Sequence, residues 1–375
     1  MDCNNIKICH FTSVHQSQDV RIFEKECLSL CKGGYNVYLV SPGNRSQTYQ
    51  EQGVIIVNVL PKFKNRFWRM IVFSKSIYKA ALSIDADLYH FHDPELIKFG
   101  LKLKKLGKKV IFDCHEDIFD NLNDKDYIPK LFRPIFSYII NLYQKKSLKK
   151  FDSIISVSPH IVEKITPLNK NVVMITNFPK NIDLNINHEK QFDKIIFAGG
   201  ISEQWNHHKI IEALEYCENV NYNLCGIGSS EYLNKLHQIR GWNKVNYYGK
   251  LSKSDADKLL YESSIGIAIL SYNRNVGMNY GTLGNTKLFE YMMAALPIIC
   301  TDFILWKEII DRFKCGIYVN PNDIHAIIDA INFLKNNPSI AYKMGINGRR
   351  AFEVEYNWHS QEQKLMDLYK SILTK

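Results

Sequence analysis

Short apolar, β-branched runs alternate with helical segments along most of the chain, and this alternation restricts the possible folds more than any other feature. In the first half, "RIFEKECLSLCKGG" and "ELIKFGLKLKKLG" have helical periodicity. The strand-like runs there are "IKICHFT" (6–12), "NVYLVS", "VIIVNVL", "DLYHFH" (87–92), "KVIFDCHED" (109–117), "SIISVS" and "VVMITN". Continuous apolar strands joined through helices are typical of parallel sheets covered on both faces. The sequence predicts a doubly wound α/β architecture.

The same alternation restarts after a polar stretch at 177–193, beginning with "KIIFAGG" (194–200). We therefore expect two domains, at 1–180 and 190–357, followed by a last helix at 358–375. Ligands of such sheets bind beyond the carboxyl ends of the strands. The natural site in a chain with two sheets is the cleft between the domains.

Composition excludes several classes of protein. The chain has 375 residues, 46% of them hydrophobic and 23% charged, which describes a folded globular protein. No apolar run reaches the roughly 18 residues that span a bilayer, and the N-terminus does not resemble a signal peptide. Nine cysteines without a CxxC pair argue against a disulfide framework or a zinc site and favour the reducing cytoplasm. The net charge of +10 favours an anionic partner.

The segment "GTLGNTKLFEYMMAALPIICTD" at 281–302 carries most of the chemistry. A small-residue loop enters a helix there, so free backbone N–H groups and a partial positive charge would face a sheet edge, as in phosphate sites. Gly284 and Asn285 would allow close backbone approach, and Lys287 adds a cation. The alternative is an ordinary helix capped by Asn285 or Thr286.

Several segments resemble family 4 retaining glycosyltransferases, which have the GT-B fold of two Rossmann-like domains. They are "QDVRIFEKECLSLCKGGYNVYLVS", "LYHFHDPELIKFGLKLKKLGKKVIFDCHED", "FAGGISE", "GNTKLFEYMMAALPIICTD", "KCGIYVNPNDIHAIIDAI" and "YNWHSQEQKLMDLY". The resemblance implies sugar transfer from a nucleotide diphosphate sugar, with retention, in the assembly of bacterial capsule, lipopolysaccharide or exopolysaccharide. It also implies that the 358–375 helix packs back on the acceptor-binding first domain, while the second domain binds the donor.

The resemblance assigns roles on the donor side. Glu290 matches the second Glu of the family's Glu-x7-Glu motif and would hold the ribose hydroxyls, and Lys287 would neutralise the leaving diphosphate. No residue stands out as a covalent nucleophile, so retention implies departure and attack on the same face. The nucleotide sugar is a co-substrate, and neither a cofactor nor a metal is expected. The other expected donor-binding residues are Gly199, Gly200, Gly226, Gly228, Lys250, Leu251, Thr282, Leu283, Gly284, Asn285 and Thr286.

Two departures from the family pattern are visible. Thr282 stands where the first Glu of the motif usually contacts the donor sugar. Gly200 and Asn206 stand where the family commonly has an Arg and a Lys for the diphosphate. The adjacent histidines His207 and His208 are nearby, and we expect them to be a surface pair, because neighbouring helical side chains point about 100° apart.

The acceptor side is defined less sharply. The resemblance places His115, after the strand "KVIFDC", near the transferred sugar, and we expect it to be catalytic together with Lys287 and Glu290. The alternative is a histidine at the rim of the cleft without a role. Further acceptor-side candidates are His15, Asp19, Arg21, His92, Asp93 and Glu116.

Two stretches combine basic and aromatic residues, at 61–82 and 128–151. Cationic amphipathic helices with aromatic side chains bind anionic lipid headgroups. This pattern favours attachment to the inner face of the cell membrane and a lipid-linked glycan acceptor. The alternative is that these are core-packed helices with solvated lysines.

Two other functions remain open: a non-catalytic partner protein that binds nucleotide sugars, and a sugar-nucleotide epimerase. A dinucleotide oxidoreductase is disfavoured because no G-x-G-x-x-G follows the first strand. Nucleic-acid binding is disfavoured because no recognition motif is present.

Overall fold

The structure is a computed structural model that describes residues 5–61, 72–114, 133–181 and 191–374. The chain divides into two compact units, one formed by Met1–Asn177 with Gln361–Lys375 and the other by Phe178–Ser360. Each unit has its own sheet, and the predicted doubly wound α/β fold is confirmed. None of the described helices is both long and apolar enough to cross a bilayer.

The described part of the N-terminal unit has an eight-stranded sheet in the order β3-β4-β2-β1-β5-β6-β7-β8. Its strands are β1 (Lys7–Phe11), β2 (Asn36–Pro42), β3 (Gln47–Glu51), β4 (Val54–Val59), β5 (Leu88–Phe91), β6 (Lys109–Cys114), β7 (Ser153–Ser156) and β8 (Val172–Met174). Its helices are a π-helical turn (Val20–Cys27) that runs into α1 (Leu28–Lys32), then α2 (Ser74–Ser83), α3 (Ile97–Lys105), α4 (Arg133–Leu148) and α5 (Pro159–Ile165).

Strand β3 was not predicted, and it is the antiparallel member of the sheet. Its sequence "QTYQE" has too little apolar character to indicate a strand, because β3 is an edge strand with a mostly solvated surface. Gln52 and Gly53 turn the chain into β4 with φ of +47° and +89°, the positive values that tight hairpins require.

The C-terminal unit has a six-stranded parallel sheet in the order β11-β10-β9-β12-β13-β14 within the described residues. Its strands are β9 (Lys194–Ala198), β10 (Asn221–Cys225), β11 (Val245–Gly249), β12 (Ile265–Ala268), β13 (Ile298–Thr301) and β14 (Gly316–Val319). Its helices are α6 (His207–Leu214), α7 (Ser230–His237), α8 (Lys253–Glu262), α9 (Lys287–Met293), α10 (Ile304–Phe313), α11 (Ile324–Asn336) and α12 (Pro338–Val354). The last helix, α13 (Trp358–Leu373), belongs to the N-terminal unit from Gln361 onward.

The apolar residues in the middle of the central strands are buried in both sheets. Ile195, Ile196 and Phe197 of β9 are at most 1% exposed, so this strand is apolar on both faces, as helix-covered parallel strands are. The polar loops that follow such strands gather at one edge of the sheet. In the C-terminal unit this edge carries the residues that sequence analysis assigned to the donor.

Candidate functional site

The loop before α9 is held in place by its own side chains. The Gly284 amide donates to the Thr282 hydroxyl at 3.0 Å, and the Lys287 amide donates to Asn285 Oδ1 at 3.1 Å. The helical hydrogen bonds begin where the Glu290 amide donates to the Thr286 carbonyl at 2.9 Å. Leu283 is buried, so the loop is anchored while its polar residues stay partly exposed.

Lys287 and Glu290 form an ion pair on the first turn of α9. Lys287 Nζ donates to Glu290 Oε2 at 2.5 Å, and the Thr286 hydroxyl donates to Glu290 Oε1 at 2.6 Å. Their side chains are 14% and 20% exposed. Burial alone would raise the pKa of Glu290, but the charge and hydrogen bond of Lys287 hold it below its ordinary value. The site therefore presents an ionised carboxylate beside a cation, and both are accessible to a ligand.

Two glycines let the ends of β9 and β10 approach closely. Gly226 has a φ of +142°, and a Cβ at this position would lie 1.7 Å from the carbonyl oxygen of Gly199. The Gly199 amide donates to the Cys225 carbonyl, and the Gly226 amide donates to the Gly249 carbonyl. Lys287 Cε lies only 3.1 Å from the place of a Cβ on Gly199. The structure therefore brings Gly199, Gly226, Lys287 and Glu290 together at one sheet edge.

The remaining predicted donor residues lie around this group. Gly228 pairs with Ile201 in an isolated bridge, which extends the close approach of the two loops. Gly200 and Lys250 are exposed, and a Cβ on Gly200 would meet nothing within 4 Å. Leu251 is half-buried, and its backbone amide donates a hydrogen bond to the Cys225 sulfur.

The expectation that His207 and His208 form a surface pair was wrong. His207 is fully buried, with Nδ1 2.9 Å from the Tyr222 hydroxyl, and burial lowers its pKa to about 3. His208 is half-buried, with Nδ1 3.2 Å from the Tyr232 hydroxyl. The His207 ring also packs against Phe197 of β9, and the Tyr222 and Tyr232 hydroxyls give the two histidines polar partners inside the unit. His207 is therefore neutral and withdrawn from the sheet edge, and Lys287 is the cation that we place beside the glycines.

In the N-terminal unit, three of the acceptor-side candidates lie together. His15 is half-buried, with Nδ1 3.1 Å from Asp19 Oδ2 and Nε2 3.7 Å from Asp93 Oδ1. Asp93 is itself fixed by the Thr12 hydroxyl at 2.8 Å and the Ser13 amide at 2.6 Å. The hydrogen bond with Asp19 raises the pKa of His15 above its ordinary value. His15 therefore holds a proton more tightly than a free imidazole does.

Arg21 and His92 are buried, which corrects the expectation that they face an acceptor. Arg21 is 5% exposed and donates from Nε and Nη2 to the two oxygens of Asp113 at 2.9 and 3.1 Å. His92 Nδ1 lies 3.4 Å from Asp113 Oδ2. Arg21 and His92 therefore contact the buried Asp113 carboxylate of β6, and not a ligand. His115 and Glu116 lie outside the described residues, directly after β6.

Sequence reasoning missed the buried polar residues beneath these strand ends: His10, Glu26, His90, Asp113 and Tyr369. The alternation of His90 and His92 in "HFH", which puts both rings on one face of a strand, was the available signal. The neighbouring strand then aligns His10 with His90. Glu26 reads in sequence as part of a solvated "EKE" run and gave no signal.

Two mostly parallel, helix-covered sheets, one with a glycine-lined edge beside a lysine, are the arrangement of GT-B nucleotide-sugar enzymes. The family described as "Glycosyl transferases group 1" matches residues 180–351, and "Glycosyltransferase Family 4" matches residues 25–178. The chain belongs to the family 4 (group 1) glycosyltransferases, and the resemblance noted in the sequence is confirmed.

Individual relatives are distant. The chain is 24% identical over 302 residues to the O-antigen chain mannosyltransferase C of Escherichia coli, covering 76% of this chain and 75% of that protein. It is 22% identical over 400 residues to the capsular polysaccharide biosynthesis glycosyltransferase CapM of Staphylococcus aureus, covering 98% of both. The crystal structure of Anabaena HepE with UDP and glucose matches the fold with a TM-score of 0.69 at 11% identity, over 98% of this chain and all of that chain.

Proposed function

We propose that this glycosyltransferase transfers a sugar, with retention, from a nucleoside diphosphate sugar to a lipid-linked glycan in bacterial surface polysaccharide assembly. The relatives that act on O-antigen and capsular polysaccharide support the pathway, and the HepE complex supports a uridine nucleotide. The observation that carries the donor role is the Lys287–Glu290 ion pair beside the glycine ends of β9 and β10.

We assign the two charges of this pair to different parts of the donor. Glu290 accepts hydrogen bonds from the vicinal ribose hydroxyls, for which an ionised carboxylate with two oxygens is a matched partner. Lys287 and the amides of the 282–286 loop contact the diphosphate, whose negative charge grows as the glycosidic bond breaks. The absence of a side chain at Gly199 gives the phosphates room next to Lys287.

Retention follows in this proposal from departure and attack on the same face. The bond between the anomeric carbon and the β-phosphate oxygen breaks, the acceptor oxygen bonds to that carbon, and the acceptor proton passes to the departing phosphate oxygen. Lys287 stabilises the charge on this oxygen before the proton arrives. No metal is needed at the donor site for these steps. His115 would hydrogen-bond the transferred sugar, and Thr282, which replaces a sugar-contacting Glu, would alter the choice of sugar.

On the acceptor side we assign contacts to His15 and Asp19, which are partly exposed. Asp93 orients the His15 ring in this proposal. Thr12 and Ser13 hold the Asp93 carboxylate by hydrogen bonds, and Asp93 Oδ1 lies 3.7 Å from His15 Nε2. A polar, partly charged surface of this kind suits the hydroxyls of a glycan.

Helix α4 supports a membrane-bound acceptor and location at the inner face of the cell membrane. Tyr138 is 70% exposed and Ile139 is 56% exposed, and Leu142 continues this exposed face one turn later. The exposed Lys145 and Lys146 lie on the same side in the last turn. Apolar groups flanked by lysines fit the headgroup region of an anionic bilayer. In the other basic stretch, residues 62–71 lie outside the described residues, and α2 packs Ile77 and Ala81 into the core.

The donor assignment is tested by measuring the binding of ligand fragments. The UDP-, GDP-, ADP- and CMP-sugars are first ranked by thermal shift on the wild type, and the affinities of the preferred nucleoside and of inorganic pyrophosphate are then measured. We expect Glu290→Gln to weaken nucleoside binding by about 10- to 100-fold, the loss of a charge-assisted hydrogen bond of about 1.5–3 kcal/mol. Pyrophosphate binding should be unchanged or tighter, because Lys287 is released from its ion pair.

Lys287→Met should show the opposite pattern, with weakened pyrophosphate and unchanged nucleoside. The matched controls are Glu262→Gln and Lys258→Met, an exposed ion pair on α8 of the same unit, which should bind both fragments like wild type. Unchanged nucleoside affinity in Glu290→Gln would contradict the donor assignment. Donor binding without sugar transfer to any acceptor in a panel would favour the non-catalytic partner, which the substitution of Thr282 for a sugar-contacting Glu also suggests.

A further inference from the structure

Three histidines and a glutamate form a fully buried cluster in the N-terminal unit. His10 on β1 is aligned with His90 on β5, and His92 lies two residues after His90, just beyond the end of β5. Glu26 lies on the π-helical turn. The side chains of His10, His92 and Glu26 are 0% exposed, and His90 is equally buried. One ligand atom from each of the four residues lies within 4.8 Å of the others.

Glu26 and His90 each have buried polar atoms that make no hydrogen bond among the residues that the structure describes. Neither Glu26 oxygen has a hydrogen-bond partner there, and neither has His90 Nε2. Arg21 Nε approaches Glu26 Oε1 at 3.1 Å but makes its hydrogen bond to Asp113. A buried polar group without a partner costs about 1–3 kcal/mol, and more when it is charged. Glu26 Oε1 already faces Arg21, and it is Glu26 Oε2 and His90 Nε2 that point to a missing ligand.

The other ring nitrogens are already engaged in a way that orients the histidines. The Tyr369 hydroxyl, on α13, lies 2.7 Å from His90 Nδ1 and 3.0 Å from His10 Nε2. Asp113 Oδ2 lies 3.4 Å from His92 Nδ1. Metal-binding histidines are held in this way, with the ring nitrogen opposite the metal hydrogen-bonded to a carboxylate or another oxygen. The nitrogens that face the centre of the cluster are His90 Nε2, which has no hydrogen bond among the described residues, and His10 Nδ1 and His92 Nε2, which lie at hydrogen-bond distance from each other and would exchange that contact for bonds to an ion.

The ligand atoms all lie within 4.8 Å of one another, and the pair between His10 and His92 already has nearly the spacing of a tetrahedral site. Zinc–nitrogen bonds of about 2.0–2.1 Å place neighbouring ligand atoms about 3.3–3.4 Å apart. His10 Nδ1 and His92 Nε2 are 3.1 Å apart, and Glu26 Oε2 lies 3.9 and 4.0 Å from them. Closing on an ion would move the carboxylate inward by about half an ångström.

We infer that His10, His90, His92 and Glu26 bind a divalent transition-metal ion, with zinc favoured by three imidazoles and one carboxylate in a tetrahedral arrangement. The ion is structural: it ties β1, β5 and the π-helical turn together, and Tyr369 adds the C-terminal helix to the assembly through its outer hydrogen bonds. The expectation from sequence that the chain has no zinc site rested on its cysteines and on one adjacent pair of histidines. These four ligands are instead spread between residues 10 and 92, and the pairing of β1 with β5 brings them together.

The test uses the full-length chain, purified without a histidine tag and refolded with Zn²⁺, because every ligand is buried. After dialysis against a chelator, elemental analysis should find one tightly held zinc ion per chain in wild type and in the control His325→Gln, which changes an exposed histidine of the other unit. Glu26→Gln should lose the ion. Tyr369→Phe should retain it with about 10- to 100-fold weaker affinity, the usual effect of removing an outer partner.

A second measurement uses only the wild type, so that its result does not depend on whether a core variant folds. Wild type refolded with Co²⁺ should show the intense visible absorption of a tetrahedral cobalt site, and added Zn²⁺ should abolish it. Folded wild type that holds no metal after refolding with Zn²⁺ would overturn the proposal, and would assign the space between Glu26 and His90 to a buried water. Equal zinc content in folded Glu26→Gln would also overturn it. Neither result depends on nucleotide binding by the other unit.

Discussion

Replacing Gly226 with alanine should destabilise the C-terminal unit strongly, and the structure gives the size of the effect. The new methyl group would meet the Gly199 carbonyl oxygen at 1.7 Å, whereas ordinary contacts are 3.4–4 Å. The φ of +142° adds backbone strain of about 1–3 kcal/mol in a residue with a side chain. Displacing one strand end from the other adds about 1–3 kcal/mol of overpacking. We expect a loss of about 2–6 kcal/mol in the free energy of unfolding.

Gly200→Ala is the matched control, because it is one residue from Gly199, it also belongs to the predicted donor set, and its methyl group would meet nothing within 4 Å. Its unfolding free energy should stay within about 0.5 kcal/mol of wild type. Urea unfolding followed by tryptophan fluorescence reports on the relevant unit, since four of the five tryptophans lie in it: Trp205, Trp242, Trp306 and Trp358.

With a urea slope of about 2 kcal/mol per M, the midpoint of Gly226→Ala should fall by about 1–3 M. A Gly226→Ala protein as stable as Gly200→Ala would show that the two loops do not approach as closely as described. The geometry of the donor site would then have to be revised, because the space beside Lys287 depends on the same approach.

Two further predictions concern the N-terminal unit. In flotation with anionic vesicles, replacing Ile139 and Leu142 by glutamine should reduce membrane binding. The control Ile304→Gln changes an exposed apolar residue of the other unit and should bind like wild type. Absence of wild-type binding would contradict the membrane proposal. Burial raises the pKa of Asp19, but hydrogen bonds from His15 and the Ile22 amide outweigh it and hold the pKa below its ordinary value. Asp19 therefore stabilises the folded state above the pKa of about 3.9 that it has in the unfolded chain, and this contribution is lost as the pH falls further. The difference in unfolding free energy between wild type and Asp19→Asn should shrink below about pH 4. A difference that does not change with pH would contradict this assignment.

The sequence by itself determined the architecture and the donor motif. Apolar strands separated by helices favour two covered, mostly parallel sheets, since the central strands are apolar on both faces and must bury both. The contacts within 281–302 could likewise be expected from sequence. They join Asn285, Thr286, Lys287 and Glu290 over at most four residues. Interactions at that range follow from helical geometry and need no tertiary information.

Tertiary structure alone decided which polar residues are buried. His207 and Glu26 occupy helical positions that read as solvated, yet both are fully buried. His207 lies against Tyr222 of the next strand, and Glu26 lies against His10 and His92. The cluster of His10, His90 and His92 needs the register of β1 against β5, and its Tyr369 partner lies 279 residues beyond His90. Periodicity reports only the face that a residue occupies on its own element. The identity of the atoms across that face is set by strand order and long-range docking, which no local pattern encodes.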